Sequence, residues 1–196
     1  HSNYLALALI VEQVSGMSMG EFAKQKIFTP LGMNNTFFYE DNEKVIKNRA
    51  LLYGKKDEEF KLKQNFDFTA CGDGRLYSTV EDMTKWMANF SSSKIGSDEK
   101  FMEKLFARGV LNDGTEMSYA LGLEHANVKG YDVVAHNGWF GGATAMFLYT
   151  PKEDLAIITM GNNIEKGAIG KAIQINGLLL PDNTTSTKEE AVETTS

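Results

Sequence analysis

The spacing of apolar residues changes partway along the chain, and that change divides it into a helical part and a strand part. Tyr4, Leu5, Leu7, Ala8, Ile10, Val11 and Val14 recur at helical spacing and predict a largely buried helix over 3–15, stopped at Gly16. Ser18 with Glu21 three residues on is a capping-box pattern and opens a second helix through Ile27. Pro30 to Met33 predicts a turn, and residues 34–66 are polar and irregular, with Lys55 to Glu59 as a solvated loop or a hairpin tip. Thr79 caps a helix from Val80 to Phe90 that carries Met83, Trp86, Met87 and Phe90 on one face, and Ser97 to Glu99 opens another to about Ala107. Beyond that point the runs become strand-length and rich in aromatic and β-branched residues, at 118–126, 131–136, 142–150 and 155–161. Lys129-Gly130, Gly138 to Gly141 and Pro151 to Asp154 separate them, which predicts an antiparallel meander. A last helix spans about Glu165 to Leu180. The fold class is therefore α+β, an antiparallel sheet flanked by helices.

Composition adds boundaries to this picture. The 196 residues suit one domain over 1–180. The Thr-, Ser-, Glu- and Lys-rich stretch at 181–196 has too little apolar surface to fold and reads as a tail or linker. Twenty basic against twenty-six acidic residues give a net charge of −6, which argues against a nucleic-acid partner. No apolar run approaches the ~20 residues of a membrane span. One cysteine, Cys71, excludes an internal disulfide and a multi-cysteine metal site. Three scattered histidines lack metal-ligand spacing, so neither a metal nor a cofactor is expected. Apolar periodicity starts almost at His1, with no methionine and no leader before it. This predicts a piece of a longer protein whose remaining N-terminal segment packs against it.

Several short stretches match motifs that carry chemistry elsewhere. Gly16 to Gly20 matches G-x-S-x-G, but that elbow needs a preceding strand, and here a helix precedes a serine already used as a cap. Ser91 to Lys94 and Ser97 to Lys100 match S-x-x-K. The first sits in a polar stretch and the second at an exposed helix start, whereas a working S-x-x-K opens a buried helix. Cys71 reads as a small buried hydrophobe rather than a nucleophile partnered by His125 or His136. Gly72-Asp73-Gly74 reads as a backbone turn. Ala135 to Gly142 is the most informative stretch: a polar His-Asn-Gly follows an apolar run and precedes glycines. It is either a hairpin loop with a satisfied histidine or one wall of a site.

Taken in order, several stretches resemble one family. Ser2-Asn3-Tyr4 running to Gly16, Pro30 to Thr36, Gly72 to Asp82, Tyr119 to Leu123, His136-Asn137-Gly138 and Pro151 to Asn162 are similar to the serine β-lactamase and penicillin-binding-protein-like hydrolases, in the class C β-lactamase and esterase branch. The resemblance covers roughly residues 1–175 and implies a β-lactamase/transpeptidase-like fold. That family uses S-x-x-K, then Y-x-N, then K-T-G or H-x-G on a strand. His136 to Gly138 falls on the third motif. The family's spacing to the glycine matching Gly16 puts His1 at the asparagine of the second; alternatively, His1-Ser2-Asn3 is that motif with histidine for tyrosine. The first motif is expected upstream.

The resemblance implies that a serine deprotonated by lysine and tyrosine attacks an amide, ester or β-lactam carbonyl and forms an acyl-enzyme resolved by water. It implies catalytic roles for His136, Gly138, Trp139 and His1, and substrate contacts from Asn137 and Phe140. His136 would hydrogen-bond the substrate or the catalytic tyrosine, Gly138 would leave room for substrate, and the Trp139 N–H would form half of an oxyanion hole. The expected partner is a small-molecule or peptide substrate, and a secreted or periplasmic setting is implied. The rival expectation is a binding module of the same fold without catalysis.

Overall fold

The computed structural model describes residues 1–63, 71–96, 100–163 and 167–184. Its helical part begins with α1 (Ser2–Ser15), which Gly16 ends in a left-handed conformation at φ 68°, its N–H bonded to the Glu12 carbonyl. Ser18 then caps α2 (Met19–Ala23) through the full reciprocal box with Glu21. The expected turn at Pro30 is instead helix. A π-helical turn over Lys24–Phe28 widens the backbone ladder, and α3 (Thr29–Leu31) continues it to Gly32 at φ 72°. Proline can occupy a first helical turn because the N–H it lacks has no partner to lose there.

The segment expected to be irregular also contains structure. β1 (Phe37–Phe38) pairs with β4 (Leu76–Tyr77), and β2 (Leu52–Lys56) with β3 (Glu59–Lys63). Asp57 and Glu58 both hold positive φ, at 51° and 63°. This is the backbone of a tight hairpin turn, so Lys55 to Glu59 is a hairpin tip. α4 (Val80–Ser92) begins at Thr79, whose hydroxyl accepts from the Asp82 N–H. α5 (Phe101–Phe106) follows, and the Ser97–Glu99 cap expected for it lies outside the described residues.

β5 (Glu124–Val128), β6 (Tyr131–Phe140), β7 (Ala143–Thr150) and β8 (Leu155–Gly161) form one antiparallel sheet in sequence order. α6 (Ala168–Leu179) packs on one face over Val133, Ala135, Leu148 and Ile157. On the other face Met87 and Phe90 of α4 cover Val134 and Tyr149, with Leu123. The start expected for α6 at Glu165 lies outside the described residues, as does the tail beyond 184.

Three expectations change here. The strand expected at 118–126 is a fold-back: Ser118 to Ala120 return against Leu123 to His125 around Gly122, at φ 78°. The turn expected at Gly138 to Gly141 is two residues, Gly141 and Gly142, at φ 56° and 101°, so β6 runs four residues further than expected, to Phe140. α1 is not largely buried either. Ala8 is its buried residue, while Leu9, Ile10 and Val14 stand 65%, 56% and 82% exposed. Its apolar side chains encircle the helix, and the described residues cover only the face around Ala8.

Candidate active site

The upper half of β6 is where the predicted residues meet. β5 pairs with β6 only as far as Ala135, opposite Glu124, whereas β7 continues to Phe140. From His136 to Trp139 one edge of β6 therefore has no strand partner among the described residues. The main chain along that edge, at Asn137 and Trp139, is a ready acceptor for an extended ligand backbone. Two-residue alternation puts His136, Gly138 and Phe140 on the α4 face with Val134, and Asn137 and Trp139 on the α6 face with Ala135. The indole of Trp139, 65% exposed, thus points away from His136, and only its main chain can serve the same site. A Cβ at Gly138 would meet only the Ala145 methyl, at an ordinary 3.8 Å. Neither packing nor backbone angle demands glycine there; what it leaves is open space beside His136.

His136 is held by a residue that was not singled out from the sequence. Its Nε2 lies 3.2 Å from the Tyr119 hydroxyl, with the two rings edge-on at 67°. Burial, then a hydrogen bond with Tyr4, pushes the Tyr119 phenol up to about 12, so it stays an O–H at neutral pH. Tyr4 belongs to the first turn of α1, and its N–H bonds to the His1 carbonyl at 3.0 Å. The His1 ring in turn has Nδ1 2.7 Å from Asp73 Oδ2. Gly72 makes this possible: at φ 133°, a Cβ would sit 2.7 Å from the Tyr4 carbonyl oxygen, so only glycine lets the 72–74 turn lie against α1. His1 and His136 are thus linked through Tyr4 and Tyr119. The signal for Tyr119 was its place in Tyr119 to Leu123, a stretch legible as a match but not as a site.

Ser18, Ser91 and Cys71 lack the setting of a nucleophile. Ser18 Oγ caps α2 and donates to Glu40 Oε2 at 3.1 Å. Ser91 lies in the last turn of α4, its hydroxyl on the Ala88 carbonyl, so it opens no helix. Ser97 lies outside the described residues. Burial pushes the Cys71 thiol up, away from thiolate. Among the described residues no three His, Cys, Asp or Glu side chains gather as metal ligands.

Against known proteins, the sequence profile of the family described as Beta-lactamase matches residues 1–172. The chain belongs to the beta-lactamase family. Penicillin-binding protein 4* of Bacillus subtilis is 30% identical over 166 residues, 76% of this chain and 36% of that protein. A D-aminopeptidase of Brucella anthropi is 24% identical over 180 residues, 92% of this chain and 34% of that one. The octameric penicillin-binding protein homologue from Pyrococcus abyssi superposes with a TM-score of 0.79 at 28% identity, covering 92% of this chain and 42% of that one. The α+β fold is accordingly the β-lactamase/transpeptidase-like one. The chain spans about a third of the length of the curated relatives it matches. Among the described residues no single helix is long and apolar enough to cross a membrane.

Proposed function

We propose that the protein carrying this chain is a serine hydrolase that acts through an acyl-enzyme, with its nucleophile motif in a segment outside these 196 residues. The observation that carries the reading is the open edge of β6 from His136 to Trp139, with a tyrosine-held imidazole and an unfilled glycine on one face. In this reading the substrate lies along that edge. The Trp139 N–H polarises its carbonyl as half of an oxyanion hole, and the other half comes from the nucleophile's own N–H. Phe140 contacts the substrate beside it, and Asn137, whose side chain lies on the opposite face, does so through its main chain. His1, fixed by Asp73, takes the second-motif position.

The outside segment has surface waiting for it. The apolar side chains of Leu9, Ile10 and Val14 on α1 and of Leu178 on α6, 86% exposed, are the kind of area a folded protein covers. The D-aminopeptidase relative makes D-aminoacyl amides and esters the first substrates to try, with β-lactams next.

The test compares the full-length protein with the 196-residue chain on D-alanyl p-nitroanilide, a nitrophenyl ester and a chromogenic cephalosporin. Turnover by the full-length protein and none by the chain alone is expected, because no side chain described here is an activated nucleophile. Turnover by the chain alone that disappears in Ser18→Ala or Ser97→Ala would overturn this. Binding without turnover by the full-length protein would favour the binding-module reading.

A further inference from the structure

We propose that Tyr119 is a positioning residue that fixes His136 in a single orientation and a single tautomer, with its O–H donated to Nε2 and the imidazole proton kept on Nδ1. This deepens the reading above, since it names the group that prepares the third-motif histidine for substrate.

The geometry supports a designed contact. Tyr119 is carried by the fold-back around Gly122, and the Gly109 N–H donates to its carbonyl at 3.2 Å. It also forms a bridge with Glu124, so its main chain is fixed from two sides. The β5–β6 register places Glu124 opposite Ala135, the residue before His136. The phenol therefore reaches the imidazole from the point where β5 stops covering β6. Tyr4 and Glu124 are the titratable groups facing Tyr119 from the neighbouring elements.

The direction of the chain follows from donor and acceptor strength. A phenol has one proton to give, while a neutral imidazole offers one unprotonated nitrogen. That nitrogen is a better acceptor than another phenol oxygen, so Tyr119 gives its proton to Nε2. Nδ1–H is then the donor His136 keeps for a substrate oxygen. Without the hydroxyl, an exposed imidazole on a strand edge would exchange tautomers and rotate freely.

The experiment is histidine-selective 15N labelling of the full-length protein at a pH where His136 is neutral, with the signal assigned by its loss in His136→Gln. Wild type should show one protonated nitrogen, Nδ1, and one unprotonated nitrogen, Nε2, with well-separated shifts. Tyr119→Phe, which keeps the ring and removes only the hydroxyl, should draw the two shifts together. It should also lower kcat about fivefold to tenfold with KM little changed. Averaged nitrogens or a protonated Nε2 in the wild type would overturn the assignment, as would a Tyr119→Phe spectrum identical to wild type. The wild-type spectrum decides even if Tyr119→Phe folds poorly. Shifts that respond while kcat does not would keep the positioning role and count instead against the hydrolase reading.

Discussion

His136→Ala in the full-length protein should lower kcat/KM by roughly tenfold or more, a loss of about 1.4 kcal/mol of transition-state stabilisation per tenfold. The side chain is exposed and makes one polar contact, to Tyr119, so its removal takes away little packing. The unfolding midpoint should stay within a degree or two of wild type. His136→Lys should recover part of the activity, since an ammonium can donate to the same substrate oxygen and lysine occupies this strand position in K-T-G relatives. Steady-state kinetics, paired with thermal unfolding, checks all three statements. Unchanged kinetics in His136→Ala, or a loss of activity matched by unfolding, would return His136 to a loop-like structural role.

The second large effect is on stability and centres on Asp82. Its carboxylate is fully buried in the first turn of α4. It accepts from the Asn35 N–H at 2.7 Å, the Thr36 hydroxyl at 2.9 Å and Lys85 Nζ at 2.8 Å. It thereby ties the loop after α3 to α4. Asp82→Ala leaves the Asn35 and Thr36 donors without their acceptor, at about 1–3 kcal/mol each. A total near 3 kcal/mol corresponds to a drop in Tm of roughly 6–12 °C for a protein of this size. Burial alone would raise the Asp82 carboxyl, but the hydrogen bonds from Lys85, Asn35 and Thr36 outweigh it and hold the group below its ordinary range. A lowered folded-state value stabilises the protein above the ordinary carboxylate range near pH 4, and that contribution disappears as pH falls through the lowered value. Asp82→Asn should therefore lose stability at pH 7 and lose less of what remains on acidification than wild type does. Equal acid sensitivity in the two proteins would remove Asp82 from the account.

Local signals in the sequence carried the fold a long way. The Ser18 and Thr79 caps, the Gly16 stop and the strands at 142–150 and 155–161 all depend on neighbours within a few residues, and each is close to where the pattern put it. What was misread depends on distant partners or on backbone angle. Gly138 looks like punctuation, yet only Gly141 and Gly142 hold positive φ, so a strand was taken for a loop. Nothing local distinguishes Asp82 from Glu81 in the first turn of α4. Only the return of Asn35 and Thr36 from 46–47 residues away makes one of them buried. For the site, the third-motif residues were legible through the family resemblance. Tyr119 and Tyr4 were not, because neither carries a motif of its own chemistry. Their role exists only once α1, the 118–125 fold-back and β6 come together.

The most direct test of the account is to find where the acyl group goes. The full-length protein is incubated with an activated D-alanyl ester, quenched in acid, digested and analysed by mass spectrometry. A single D-alanyl adduct should appear on a serine that lies outside residues 1–196, followed after three residues by lysine, and in His136→Ala it should accumulate at least tenfold more slowly. An adduct on Ser18, Ser91, Ser97 or Cys71, or hydrolysis with no covalent adduct at any time point, would contradict it.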